Sequence, residues 1–298
     1  HNLVHYGLMA SAQRDIAALG RQQLGDGATD PARAAGDDRI LALEIEIHIP
    51  LLFGRPADII AEGAAQSPTA EEGSPMALAN ERVAWFNGKI VRESEVLIPF
   101  RDQGFLRGDA VFDMTRSFNG KAFRLAEHIA RLYRSLRYLE IDPGMLPGEM
   151  AAISEDVLAR NRHLLGPGED YWLAQRISRG INRVPGDNWG HYGPNVIVEC
   201  VPLPLRERAK HFRDGIEIVT PSLRRTPPDS LSPRAKMHQY LNLVLADREV
   251  KAQKPDAWAV LLDVNGNLCE GQGSNIFLVR DGRLLTPRER HVLPGVSR

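Results

Sequence analysis

Two of the chain's three Asn-Gly dipeptides, Asn87-Gly88 and Asn119-Gly120, constrain it more than any other feature, the third being the turn Asn265-Gly266. Both residue types enter positive φ at little cost, as a two-residue type I′ turn requires, and that turn's twist suits antiparallel strands. Each dipeptide is flanked by strand-forming runs. Val83-Ala84-Trp85-Phe86 and Lys89-Ile90-Val91 surround the first; Val111 to Phe118 and Lys121-Ala122-Phe123-Arg124 surround the second. Antiparallel pairing is therefore expected here. Alternation places Phe112, Met114, Arg116 and Phe118 on one face of the longer strand. An arginine on so apolar a face could hold a buried acid or receive a substrate carboxylate, and the residues alone favour the ion pair.

Beyond the second hairpin, Ile129, Leu132, Tyr133, Leu136 and Leu139 recur at helical spacing, predicting a helix over Leu125 to Leu139. Arg131 falls off that stripe one turn after Glu127, which reads as a solvated i,i+4 pair. His128 reads as a packing or surface histidine. Tyr171 to Gly180, carrying Arg176 and Arg179, and Asn195 to Val201 are expected strands. Pro202-Leu203-Pro204-Leu205 reads as a stiff linker. Apolar strands are then expected at Gly215 to Val219, Ala257 to Asp263 and Asn275 to Val279. The expected class is thus α/β of mixed α+β type in two domains, 82–201 and 206–298. Residues 1–81 read as an extension, loosely structured or not native. Residues 19–38 are rich in Gly, Ala, Asp and Arg, and residues 61–75 in Ala, Glu, Ser and Pro. Within it only Leu41 to Phe53 alternates like a strand, and Met76 would suit as a start for the folded part.

The formal net charge of -1 over 298 residues gives no electrostatic case for nucleic acid or an anionic membrane. Cys200 and Cys269 are the only cysteines and lack metal-ligand spacing, so no metal is expected and a reducing cytoplasm is the default. No apolar run approaches the ~20 residues of a membrane span.

Two groups in the last third carry chemistry. Ala235-Lys236-Met237-His238-Gln239-Tyr240-Leu241-Asn242 reads as the opening of an apolar helix behind a loop stiffened by Pro227, Pro228 and Pro233. Glu270-Gly271-Gln272-Gly273-Ser274-Asn275 places a carboxylate before a glycine-rich turn that allows close backbone approach. A lysine amine can hold pyridoxal 5'-phosphate as a Schiff base, and a carboxylate can keep its pyridine nitrogen protonated. Leu293-Pro294-Gly295-Val296-Ser297-Arg298 could offer backbone N–H groups to a phosphate.

These blocks resemble the class IV (fold-type IV) pyridoxal-phosphate aminotransferases. The likeness rests on Phe123-Arg124-Leu125 with Glu127-His128 and Arg131-Leu132, on Lys236 with Tyr240-Leu241-Asn242, and on Glu270-Gly271 with Gly273-Ser274-Asn275. It covers about residues 82 to 298. It implies that Lys236 carries the cofactor and shuttles the proton, Glu270 meets the pyridine nitrogen and Tyr240 the phenolic oxygen. Arg131 would hold the phosphate with the N–H groups of Val296 and Ser297, and Ser274 and Asn275 would belong to the cofactor site. Phe112-Asp113-Met114-Thr115-Arg116 is similar to a substrate strand of branched-chain aminotransferases, with methionine in place of a glycine; Arg176 is a further substrate candidate. Asp102-Gln103-Gly104-Phe105-Leu106 and Arg213 to Pro227 look closer to (R)-selective amine transaminases. D-amino-acid transaminase, aminodeoxychorismate lyase and a non-catalytic module of the same fold are the alternatives. The family also implies a homodimer, an amino donor, a 2-oxo acid acceptor and a large domain continuing past Arg298.

Overall fold

The computed structural model describes residues 81–298. The strand expected over Leu41 to Phe53 lies outside the described residues, as does the extension apart from Glu81.

Both Asn-Gly turns form as their chemistry dictates. β1 (Val83–Phe86) and β2 (Lys89–Arg92) flank Asn87 at φ 46° and Gly88 at φ 100°. β3 (Ala110–Phe118) and β4 (Lys121–Ala122) flank Asn119 at φ 50° and Gly120 at φ 71°. Between the hairpins lies the short helix α1 (Gln103–Arg107), whose N-cap Asp102 accepts from the Phe105 N–H at 3.1 Å. α2 (Leu125–Leu139) and α3 (Pro147–Asn161) follow, then β5 (Tyr171–Ser178) and β6 (Val196–Pro202).

These strands form one six-stranded antiparallel sheet in the order β2-β1-β6-β5-β3-β4. Ile129, Leu132 and Leu136 of α2 and Met150 and Val157 of α3 bury themselves with Leu173, Ile177 and Val198 of the sheet. Burying such side chains contributes roughly 1.5–3 kcal/mol each, the main force holding the helices on the sheet. The alternation in β3 puts Phe112, Met114 and Arg116 together, but that face is only half-buried. The opposite face, Val111, Asp113, Thr115 and Ser117, is buried. Three polar side chains thus occupy core positions because groups around them supply hydrogen bonds.

Pro202 ends β6 and Leu205 already opens α4 (Leu205–Asp214). The rest of the chain contains β7 (Ile218–Val219), α5 (Leu241–Gln253), β8 (Trp258–Leu262), β9 (Leu268–Gly271), β10 (Leu278–Arg280) and β11 (Arg283–Leu285). β7 runs parallel to β8, β8 pairs antiparallel with β9, and β10 and β11 make a separate hairpin. Leu243, Ala246 and Val250 of α5 pack on Ala257, Ala259 and Leu261. The expected strand at Asn275 is shorter, starting only at Leu278, because the turn before it folds back on β9 through a Glu270–Asn275 bridge.

Candidate active site

Lys236 does not open a helix as expected: α5 starts five residues later, at Leu241. Instead the segment around Met237 pairs with the first residues of β3. The Phe112 N–H donates to the Lys236 carbonyl at 3.0 Å and the His238 N–H to the Ala110 carbonyl at 2.9 Å. The Lys236 N–H donates to Ser135 Oγ at 2.9 Å, and that buried hydroxyl donates in turn to the Arg131 carbonyl at 3.2 Å. Both backbone polar groups of the lysine are therefore fixed, one by a strand and one by a helix. Its Nζ lies 2.9 Å from the Tyr240 hydroxyl and 4.5 Å from the Phe112 ring centroid.

Arg131 overturns the solvated-pair reading. It is only 4% exposed, and Glu127 instead accepts from Arg124 Nε at 2.9 Å. Arg131 grips the fully buried Asp113 with two nitrogens, at 2.8 Å and 2.7 Å, and His128 Nδ1 lies 2.7 Å from the same carboxylate. Burial on its own would raise the Asp113 carboxyl, but hydrogen bonds from His128 and Arg131, with their charge, hold it below the usual range. The remaining arm of Arg131, Nη1, donates to the Pro294 carbonyl at 3.1 Å. Helical spacing could not reveal this, since Asp113 comes from the preceding hairpin. Arg116 shows the ion pair that the residues favoured: its guanidinium lies 3.8 Å over the Phe118 ring, and Nη2 is 3.5 Å from Asp170.

Glu270 stands near the end of β9. Its Oε1 accepts from Arg225 Nε and its Oε2 from the Leu293 N–H, each at 2.9 Å. Asn275 Nδ2 donates to the Leu293 carbonyl at 3.0 Å. Two glycines make this turn possible: a Cβ on Gly271 would lie 2.6 Å from Ser274 Oγ, and one on Gly295 would lie 2.1 Å from Asn275 Oδ1. Glu270, Asn275 and Arg131 thus hold Leu293 and Pro294 from three sides. Among the described residues, the Val296 and Ser297 N–H groups donate to no backbone acceptor.

One cavity of about 670 Å³ gathers Arg131, Lys236, Tyr240, Glu270, Ser274, Asn275, Val296 and Ser297, with Phe112, Met114 and Arg116 on its wall. Arg176 is not among them. It lines an adjoining cavity of about 590 Å³ across Phe112 and Tyr240, and its Nε donates to Glu199 at 2.5 Å. The adjoining cavity also contains His238, which the motif reading passed over. Burial, then the charge of Arg176, pushes its pKa down to about 4, with Asp102 opposing, and its buried Nε2 has no partner among the described residues. Burial pushes both cysteine thiols up to about 12, so neither is a ready nucleophile. No metal-ligating cluster occurs among the described residues.

Residues 110–298 match the family Amino-transferase class IV. The chain belongs to this family. As a class IV aminotransferase it is 36% identical over 217 residues to a Methanocaldococcus jannaschii protein provisionally named a branched-chain-amino-acid aminotransferase, covering 72% of this chain and 71% of that one. The branched-chain-amino-acid aminotransferase of Salmonella typhimurium is 28% identical, with 72% and 69% covered. Among solved structures, the Escherichia coli branched-chain amino acid aminotransferase aligns with a TM-score of 0.65 at 26% identity, covering 73% of this chain and 71% of that one. A second branched-chain amino acid aminotransferase, solved in complex with N-(5'-phosphopyridoxyl)-L-glutamate, aligns with a TM-score of 0.62 at 26% identity, covering 73% and 70%.

The cofactor of this class IV aminotransferase is pyridoxal 5'-phosphate, and the cavity fits it. An amine next to a phenol suits an aldehyde beside a ring hydroxyl, and a carboxylate suits a ring N–H. A guanidinium with open backbone N–H groups suits a phosphate dianion.

Proposed function

We propose that this aminotransferase moves the amino group of branched-chain amino acids to a 2-oxo acid. The observation that carries the reading is the single cavity in which the Lys236 amine and the Glu270 carboxylate share a wall with Phe112 and Met114. Those two side chains offer apolar surface to an apolar substrate side chain, in line with the branched-chain relatives.

When bound, pyridoxal phosphate supplies an aldehyde that receives nitrogen and a ring that takes up electrons. Lys236 Nζ would hold the cofactor and would move the proton at the substrate Cα. Tyr240 holds its phenol 2.9 Å from that amine, fixing where it rests. Glu270 would hold the ring nitrogen, and Arg131 with the Val296 and Ser297 N–H groups would hold the phosphate. Ser274 and Asn275, which line the cavity, would belong to the cofactor site. Arg116, on the wall of that cavity, would receive the substrate carboxylate, and Arg176, which lines the adjoining cavity with Phe112, is a further substrate candidate. In the same reading 82–201 and 206–298 are the small and large domains, and the enzyme works as a cytoplasmic homodimer. No helix among the described residues is long and apolar enough to cross a membrane.

The test adds pyridoxal phosphate to purified protein and to Lys236→Ala, and follows visible absorption while donors are supplied. A band in the parent alone, bleached faster by leucine, isoleucine or valine than by an (R)-arylalkylamine, is the expected result. A band of equal strength in Lys236→Ala would remove this lysine from its role. Bleaching by the amine alone would replace the branched-chain reading with the amine one.

A further inference from the structure

Arg225 lines the same cavity as Glu270, and its contacts form a chain to which none of the roles above is assigned. Arg225 lies in the loop between β7 and α5, a segment with no regular structure of its own. Its side chain is nonetheless 13% exposed and that of its partner Glu270 6%. Loops hold buried charges this well only when their backbone is fixed, and here it is fixed on both flanks. The Arg225 N–H donates to the Leu262 carbonyl at the end of β8 at 2.8 Å. Asn242, in the first turn of α5, accepts from the Thr226 N–H at 3.1 Å through Oδ1 and donates to the Arg224 carbonyl at 2.9 Å through Nδ2. One side-chain amide thus brackets Arg225 by its two chain neighbours.

We infer that Arg225, braced by Asn242, is the positioning residue that sets the orientation of Glu270 in the cofactor cavity. The inference rests on the role proposed above for Glu270. Arg225 Nε takes one carboxylate oxygen and the Leu293 N–H takes the other, so the carboxylate cannot rotate without losing a charge-assisted bond. Each oxygen still has a lone pair free for a ring N–H. Because Leu293 begins the loop that ends in Val296 and Ser297, the same carboxylate couples the ring end of the site to its phosphate end. Arg225 therefore acts on both ends while assigned to neither.

The geometry also ranks the variants. Arg225→Gln removes the charge and leaves Glu270 half-anchored. Arg225→Lys keeps a cation but not a planar group aimed along Nε. Asn242→Ala leaves the ion pair and frees its backbone. Outer-shell partners of metal ligands typically change affinity or activity by about 10- to 100-fold when replaced, and an effect of that order is expected here.

The experiment titrates pyridoxal phosphate into each purified variant by fluorescence quenching, records the melting temperature before and after loading, and measures kcat and KM for the amino donor. For Arg225→Gln the expected result is a cofactor Kd raised ~10-fold or more and a kcat lowered to match, with donor KM within about 3-fold of the parent. Arg225→Lys recovers part of the loss, and Asn242→Ala shows the same pattern at smaller size. A folded Arg225→Gln protein with parental cofactor Kd and kcat overturns the inference. If Arg225→Gln does not fold, Asn242→Ala decides, and parental values in it overturn the inference equally. Failure of the proposed function is a separate outcome, because Lys236→Ala would then behave like the parent whatever Arg225 does.

Discussion

Replacing His238 with glutamine should flatten the dependence of stability on pH between about 7.5 and 4.5. In the folded chain burial holds this imidazole neutral down to about 4, against an ordinary value of 6.5. As pH falls through that window the unfolded chain takes up a proton that the folded chain refuses. The unfolded state then binds more protons, so stability rises with pH and is lost on acidification. Integrating between pH 7.5 and 4.5 gives about 2.5 kcal/mol, or a melting temperature lower by roughly 5–10 °C for a fold of this size. Asp113 does not blur the comparison: its lowered carboxyl also costs stability as pH falls, but parent and variant share it, so it cancels in the difference. The assay is urea unfolding of parent and His238→Gln at both pH values, read as a difference of differences. His238→Gln loses some stability at pH 7.5 as well, but only the slope carries the argument. Equal slopes in the two proteins would mean that His238 takes up its proton alike in the folded and unfolded chains, and would refute the argument.

Asp113→Asn should destabilise the protein by about 3–5 kcal/mol, because it leaves the buried Arg131 guanidinium without its counter-charge. A chemical denaturation curve checks this, and the same protein should need more pyridoxal phosphate for half-saturation. Gly295→Ala should slow turnover by about 10- to 100-fold with little loss of stability. Its Cβ must displace Asn275 Oδ1, 2.1 Å away, and with it the loop that carries Val296 and Ser297. Parental kcat in that variant would show that the loop tolerates the shift.

Local chemistry was legible in the sequence; long-range pairing was not. Asn87-Gly88 and Asn119-Gly120 signal hairpins within a few residues of themselves, and Leu125 to Leu139 carries its own apolar stripe, so both could be read without the rest of the chain. Arg131 could not. Its burial depends on Asp113, which sits on the face of β3 that reads as polar, while the face that reads as apolar lines the cavity. The ordinary rule of apolar residues inside and polar residues outside is thus reversed on the strand nearest the chemistry. Lys236 was misplaced onto a helix for a related reason. Its apolar neighbours Ala235 and Met237 do bury themselves, but against β3, an element over one hundred residues earlier in the chain. Arg225 falls within the stretch that resembles amine transaminases but receives no role of its own there, because a loop arginine carries no pattern and only Asn242 and Glu270 together give it meaning.

The bonds that anchor Lys236 and Arg131 have a kinetic meaning as well. The lysine N–H meets Ser135 across 101 positions of sequence, and Arg131 meets Pro294 across 163. Contacts that close such long loops pay their entropy late, after hairpins and helices have formed. The cavity is therefore among the last parts of the protein to take shape during folding. A refolding chain should regain its helical signal well before it can bind pyridoxal phosphate, so the lag between the two would time the closing of those loops.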